Sequence, residues 1–246
     1  MKKELCLLVL LVFAAPTFAP ARAADDAAAD PLAAVLKREG YTVSLDLRVR
    51  KKKRDSLQHF LEILDGEVPP NAYATGFVVG DGLVMTAYHA VSGGLDAAHR
   101  RQLGFSPDEG LEVAASVNGC EATVLKVDRE ADLALLSVCR TKRLASPLAF
   151  QDSPAPDDEL LVIARPNGIK AVRRGAFSGT YTFRGRQYWA AKIEGRDGFS
   201  GSPVYNGRGE IVGVFSGYDS TQKVALISPG ARVQKLLAEY SSAARP

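Results

Sequence analysis

Three histidines, three cysteines, two methionines and one tryptophan are few for a chain of 246 residues. His59, His89 and His99 are scattered, and neither a Cys-x-x-Cys nor a His-Glu-x-x-His pattern occurs, so a metal centre has little to be built from. No metal and no cofactor are expected. Net charge is equally scarce: 31 basic against 28 acidic residues leave +3. A polyanion binder carries a larger positive excess, so nucleic acid is not an expected partner. Long apolar runs are missing too. The one that stands out, Leu5 to Ala15, is too short to span a bilayer.

That run sits where an export signal would. Lys2 and Lys3 precede it, and Ala21-Arg22-Ala23 follows as a small-x-small cleavage site. Residues 1–23 therefore read as a secretory signal peptide, and the mature chain as exported, periplasmic or secreted, with no membrane span after cleavage. The signal removes three basic residues and one acidic residue, which brings the mature chain close to neutral. It also removes Cys6, leaving Cys120 and Cys139 in a compartment that permits a disulfide.

What the chain does have is turns, with 22 glycines and 13 prolines. Asp30-Pro31 reads as a helix cap, with a short helix over Leu32 to Glu39 stopped by Gly40. Tyr41 to Val49 alternates at period two, as a strand does. The basic run Arg48 to Arg54 reads as a solvated strand end, since no aromatic residue interrupts it. Ser56 to Leu64 has helical spacing of Leu57, Phe60, Leu61 and Leu64. From Tyr73 on, short β-prone runs alternate with turns such as Gly80-Asp81-Gly82, Asn118-Gly119, Asn167-Gly168 and Asn206-Gly207. An all-β barrel or sandwich suits that spacing. Ser228-Pro229 opens a final helix with Val233, Leu236, Leu237 and Tyr240 on one face. Ser153 to Asp158 (SPAPDD) divides the strand-rich region, and no internal repeat stands out.

Three segments carry chemistry. In Leu83 to Val91 (LVMTAYHAV), His89 follows a strand and opens a helical turn. In Glu130 to Val138 (EADLALLSV), Asp132 stands at the mouth of an apolar strand, with Asp128 as a rival assigned to the turn. In Gly198 to Val204 (GFSGSPV), Ser200 lies between Gly198 and Gly201, which let the backbone fold tightly enough to aim amide N–H groups beside the hydroxyl. Paired amides of that kind, from Gly198 and Ser200, are what a tetrahedral oxyanion needs. The pattern differs from the G-x-S-x-G elbow of α/β-hydrolases, and the order His89, Asp132, Ser200 differs from theirs and from that of subtilisin.

These segments resemble the trypsin-like serine peptidases, especially the bacterial HtrA-type and V8-like branches. ATGFVVGDGLVMTAYHAV is similar to their His segment, DREADLALLSV to their Asp segment, and GFSGSPVYNGRGEIVGVFSG to their Ser segment. ELLVIARPNG and AVRRGAFSGTY are similar to the opening of their second barrel. The resemblance covers residues 41–240. It implies two packed six-stranded antiparallel β-barrels, the first over 41–152 and the second, with the C-terminal helix, over 153–246. A short helical extension (24–40) precedes them, and the active site lies in the cleft between the barrels. It implies a polypeptide substrate, hydrolysed through the triad His89, Asp132 and Ser200. No PDZ domain is expected after the final helix. Phe199 occupies the slot where the family usually has Asn or Asp, so activation through an ion pair to a freed amino terminus is not expected. Val214-Phe215-Ser216 replaces the His of glutamyl-specific V8-like enzymes.

Further expectations concern substrate binding and the cysteines. Phe215, Ser216 and Gly217 would offer a strand edge to substrate. Glu194 stands six residues before Ser200, where trypsin-like enzymes place the acid that selects Lys or Arg; a loop acid pairing with Arg196 is the alternative. An antiparallel register that faces Cys120 with Cys139, and Val127 with Asp132, predicts a Cys120–Cys139 disulfide. Two small buried side chains are the alternative there. A catalytically silent binding module and an esterase remain the competing functions.

Overall fold

The computed structural model describes residues 31–52, 71–95, 97–145, 147–151 and 153–243. The expected signal peptide, the helix expected over Ser56 to Leu64 and the expected Asp30 cap lie outside the described residues.

The chain is all-β, built as two closed six-stranded antiparallel barrels with few helices. A short helix α1 (Pro31–Leu36) and a 3-10 turn (Glu39–Tyr41) lead into the first barrel. Its strands are β1 (Thr42–Lys51), β2 (Asn71–Gly80), β3 (Leu83–Ala87), β4 (Leu111–Val117), β5 (Cys120–Asp128) and β6 (Leu133–Val138). Between β3 and β4 lie the single-turn helix α2 (Tyr88–Val91) and α3 (Ala97–Gln102). Sequence reading missed α3, which buries none of its residues and so shows no apolar period. The second barrel comprises β7 (Glu159–Ala164), β8 (Ala171–Phe183), β9 (Arg186–Ala191), β10 (Pro203–Asn206), β11 (Ile211–Asp219) and β12 (Val224–Pro229), followed by α4 (Gly230–Ala243).

Both barrels close in the same circular order. The first runs β1-β2-β3-β6-β5-β4 and the second β7-β8-β9-β12-β11-β10. The chain joins the second barrel early: Phe150 bridges Ile211, and Gln151 donates to the Ile211 carbonyl.

Period-two alternation decides where each side chain goes. On β3 and β6, Val84, Ala134 and Leu136 fill the first barrel, whereas Met85, Leu133 and Leu135 face out of it. On β7, Leu160 and Val162 fill the second barrel, and Leu161 and Ile163 face out. The outward sets meet in one shared core with Phe77, Tyr205, Ile211 and Val214, closed by Val35 from α1 and by Val233 and Leu236 from α4. Strands buried on both faces read as unbroken apolar runs, as LALLSV and ELLVIA do. The shared core welds the barrels together and fixes the cleft above it.

Cys120 and Cys139 are disulfide-bonded, with Cα atoms 5.8 Å apart. The register around them differs from the expected one. Ala122 faces Val138, and a bulge between Val124 and Lys126 then brings Val127 opposite Ala134 rather than Asp132. The bulge inserts one unpaired residue, which no pattern of residue types in β5 announces. The bridge closes from just beyond the end of β6. Replacing both cysteines with alanine should lower unfolding free energy by about 3 kcal/mol, the chain-entropy value for a loop of this size. A denaturant titration unchanged by that replacement would rule the contribution out.

Candidate active site

His89 sits on α2, four residues long, directly after β3. A helix this short cannot satisfy its own first N–H groups, and Asp132, just before the neighbouring strand β6, does so. Its backbone carbonyl accepts from Tyr88 N–H at 3.0 Å and its Oδ1 from His89 N–H at 2.9 Å. Oδ2 then accepts from His89 Nδ1 at 2.7 Å. Only 3% of Asp132 is exposed. A carboxylate so buried needs its oxygens engaged, and here both are. Asp132 also has φ +56°, a left-handed conformation that Asp tolerates better than most residues.

With the Nδ1 proton donated to Asp132 Oδ2, the lone pair of His89 lies on Nε2. Nε2 is 2.9 Å from Ser200 Oγ and accepts its proton. The three residues singled out in the sequence, separated by 43 and 68 positions, thus form one continuous hydrogen-bonded relay across the two barrels.

The serine loop is folded by glycine. Gly198 and Gly201 have φ of +84° and +87°. A methyl group on Gly201 would collide with the Thr75 carbonyl and the Thr86 hydroxyl, and would come within 2.9 Å of the Ala87 amide. Gly201→Ala therefore combines an unfavourable φ with a clash against backbone that cannot move, and should cost about 3 kcal/mol or more. A thermal melt indistinguishable from wild type would refute this. The amides of Gly198 and Ser200 have no acceptor among the described residues.

Thr75 was missed by sequence reading, because a Thr in a β-strand carries no signal of its own. It is buried in the first barrel and staples the serine loop of the second. Its amide donates to the Ser200 carbonyl at 2.9 Å and its hydroxyl to the Gly198 carbonyl at 2.7 Å, while Thr75 Oγ1 accepts from Arg165 N–H at 2.9 Å.

The opposite staple runs from the second barrel to the aspartate turn. Ser228 Oγ donates to the Ala131 carbonyl, and Ser216 Oγ reaches Ser228 Oγ at 2.7 Å. Arg232 on α4 grips Asp128 with two bonds of 2.8 Å, and Asp128 Oδ1 accepts from Ala131 N–H at 3.0 Å. Asp128 thus belongs to the turn and Asp132 to the relay. Burial pushes the Asp128 carboxyl up, but the Ala131 amide and the Arg232 guanidinium outweigh it and hold the group below its ordinary value of 3.8. A carboxyl lowered on folding stabilises the fold above its unfolded pKa, and that contribution fades as pH falls through the folded one. Arg232→Gln should cost about 1–2 kcal/mol at neutral pH, the figure reduced because the guanidinium is a third exposed. The deficit should shrink toward zero at pH values well below 3.8. Melting curves showing the same deficit at acid pH would contradict the linkage.

The remaining expected residues fall out unevenly. Phe215 is buried, and its backbone is spent on the serine loop: its amide donates to the Ser202 carbonyl and its carbonyl accepts from Gly201, both at 2.8 Å. The strand edge open to a ligand therefore starts one residue later than expected. Ser216 is bulged out of the β11–β12 register and Gly217 follows, beyond the last β10 partner. Glu194 does not form the floor of a pocket; its side chain is 63% exposed and lies 3.9 Å from Arg196. Phe199 is 1% exposed and packs edge-on against Phe215, with ring centroids 5.9 Å apart. An apolar core, rather than an ion pair, anchors the residue before Ser200.

Two barrels of one topology, with a Ser-His-Asp relay in the cleft between them, define the trypsin-like peptidase class. The model of the trypsin-like peptidase domain family matches residues 74–214, and the chain belongs to that family. No curated protein matches the chain in sequence. Among solved structures, the chain is similar to the Rv3671c protease of M. tuberculosis in its active form, with a TM-score of 0.59 and 21% identity over 94% of this chain and 93% of that one. The inactive form of Rv3671c gives 0.53 and 19% over 84% and 92%. A serine-to-alanine mutant of the same protein, also in an inactive form, gives 0.54 and 19% over 87% and 92%.

Proposed function

We propose that the protein is an exported serine endopeptidase, of the HtrA-type or V8-like branch, acting through an acyl-enzyme. The observation that carries this is the unbroken relay from Asp132 through His89 to Ser200, with bonds of 2.7 and 2.9 Å.

The geometry supports the following steps. A substrate backbone adds as a strand to the free edge at Ser216 and Gly217, which lays the scissile carbonyl on Ser200. Oγ attacks the carbonyl carbon as His89 Nε2 takes its proton, and the amides of Gly198 and Ser200 receive the oxyanion. Asp132 holds the ring orientation and stabilises the imidazolium. His89 returns the proton to the amide nitrogen, the C–N bond breaks, and the amine leaves. Water, deprotonated by His89 Nε2, then attacks the acyl carbon; the bond to Oγ breaks, His89 returns the proton to Ser200 Oγ, and the carboxylic acid leaves.

A fluorophosphonate probe should label the mature protein once, at Ser200, and unfolded protein should be cleaved. Absence of labelling would leave a silent binding module as the reading. Labelling accompanied by hydrolysis of esters but not of peptides would favour the esterase. The export assignment predicts a mature amino terminus directly after Ala23.

A further inference from the structure

The slot that must take the substrate side chain beside the scissile carbonyl is already filled. With that carbonyl on Ser200, its residue lies between the segment leading into the serine loop, residues 193–198, and the edge of β11 at residues 216–218. Under the strand addition proposed above, its side chain enters between them. At Gly195 the two walls touch: a methyl group built there would come within 2.5 Å of Phe215 Cζ, 2.8 Å of Tyr218 Cβ and 3.2 Å of Tyr218 Cγ. Beneath lie Ile193, Phe199 and Phe215, each 2% exposed or less. Phe215 is wedged against Phe199. Tyr218 packs on the same core, and the next residue, Asp219, is tied by the Tyr181 hydroxyl at 2.7 Å and by the amides of Thr221 and Gln222.

The charge behind this floor is positive. The Arg173 guanidinium lies 6.0 Å from the Phe199 ring centroid, while Glu194 is turned out to solvent. A lysine or arginine side chain would meet an apolar floor, the neighbouring Asp219 carboxylate being already taken by the Tyr181 hydroxyl and the amides of Thr221 and Gln222, and a large apolar one would find no room.

We propose that Phe215 and Tyr218 close the specificity slot, so that the enzyme cleaves after small uncharged residues (Gly, Ala, Ser). This rests on the peptidase reading above and assigns its substrate class. The protein excludes larger side chains sterically instead of choosing among them by charge. Tyr218 is the residue to alter, because it is partly exposed whereas Phe215 is part of the barrel core.

The test is a cleavage-site profile of the mature protein on a peptide library, run beside fluorophosphonate labelling. Wild type should favour Ala over Phe, Leu, Lys, Arg and Glu by about 100-fold in kcat/KM, as a pocket that lacks space for several heavy atoms requires. Tyr218→Gly should raise the ratio of cleavage after Leu and Phe to cleavage after Ala by about 10-fold or more. Labelled enzyme that cleaves after large or charged residues would overturn the proposal and leave the peptidase reading standing. So would a folded Tyr218→Gly variant with the wild-type profile. Protein that neither labels nor cleaves would overturn both.

Discussion

Ser200→Ala should lower turnover of an unfolded protein substrate by about six orders of magnitude, on the scale seen when the nucleophile of another triad enzyme is removed. The fold should be untouched. The change deletes one oxygen that bonds His89 and leaves the stapling intact, since the loop is held through backbone groups: the Ser200 carbonyl, the Gly198 carbonyl and the Gly201 amide. The expected result is therefore loss of rate at unchanged melting temperature, with substrate still bound. Purified Ser200→Ala retaining wild-type turnover would end the assignment of the nucleophile. A variant that melts early would instead show that the hydroxyl is structural.

Asp132→Asn should cost about four orders of magnitude in kcat. Asparagine tolerates the left-handed backbone at this position, and its oxygen can still accept from His89 N–H, so the turn should survive. Its amide nitrogen, however, would face His89 Nδ1. Two donors cannot share that bond, so the imidazole would move its proton to Nε2 and present a donor where Ser200 needs an acceptor. The signature is a large fall in kcat with little change in KM and little change in stability. If KM rose and kcat held, Asp132 would be acting on substrate binding and the tautomer argument would fail.

Much of this was legible in the residues. His89, Asp132 and Ser200 each stand at a strand edge beside a turn signal, and the glycines around Ser200 demand a tight loop. The strand-rich run from Tyr73 was readable as short β-prone runs cut by turn signals, and the last helix because its apolar residues keep helical spacing. Other features were not. The bulge in β5 and the bulged Ser216 are register events, set by how two strands settle against each other. Thr75 and Ser228 act through partners 123 and 97 residues away, and nothing local marks such residues. The shared circular order of the two barrels left no repeat in the sequence, since a strand order constrains which faces are apolar and not which residues make them so. Glu194 kept two readings for a related reason: its position relative to Ser200 was countable, but whether its side chain turned inward or out toward Arg196, as it does, was not.

Each half of the molecule secures a reactive element that belongs to the other. Thr75, made early, holds the loop of Ser200, while Ser228 and Arg232, made last, hold the turn of Asp132. A ribosome that has produced His89 and Asp132 has not yet produced what braces them, and the nucleophile is still to come. The bracing of the aspartate turn is thus complete only once the last described helix has been made and docked.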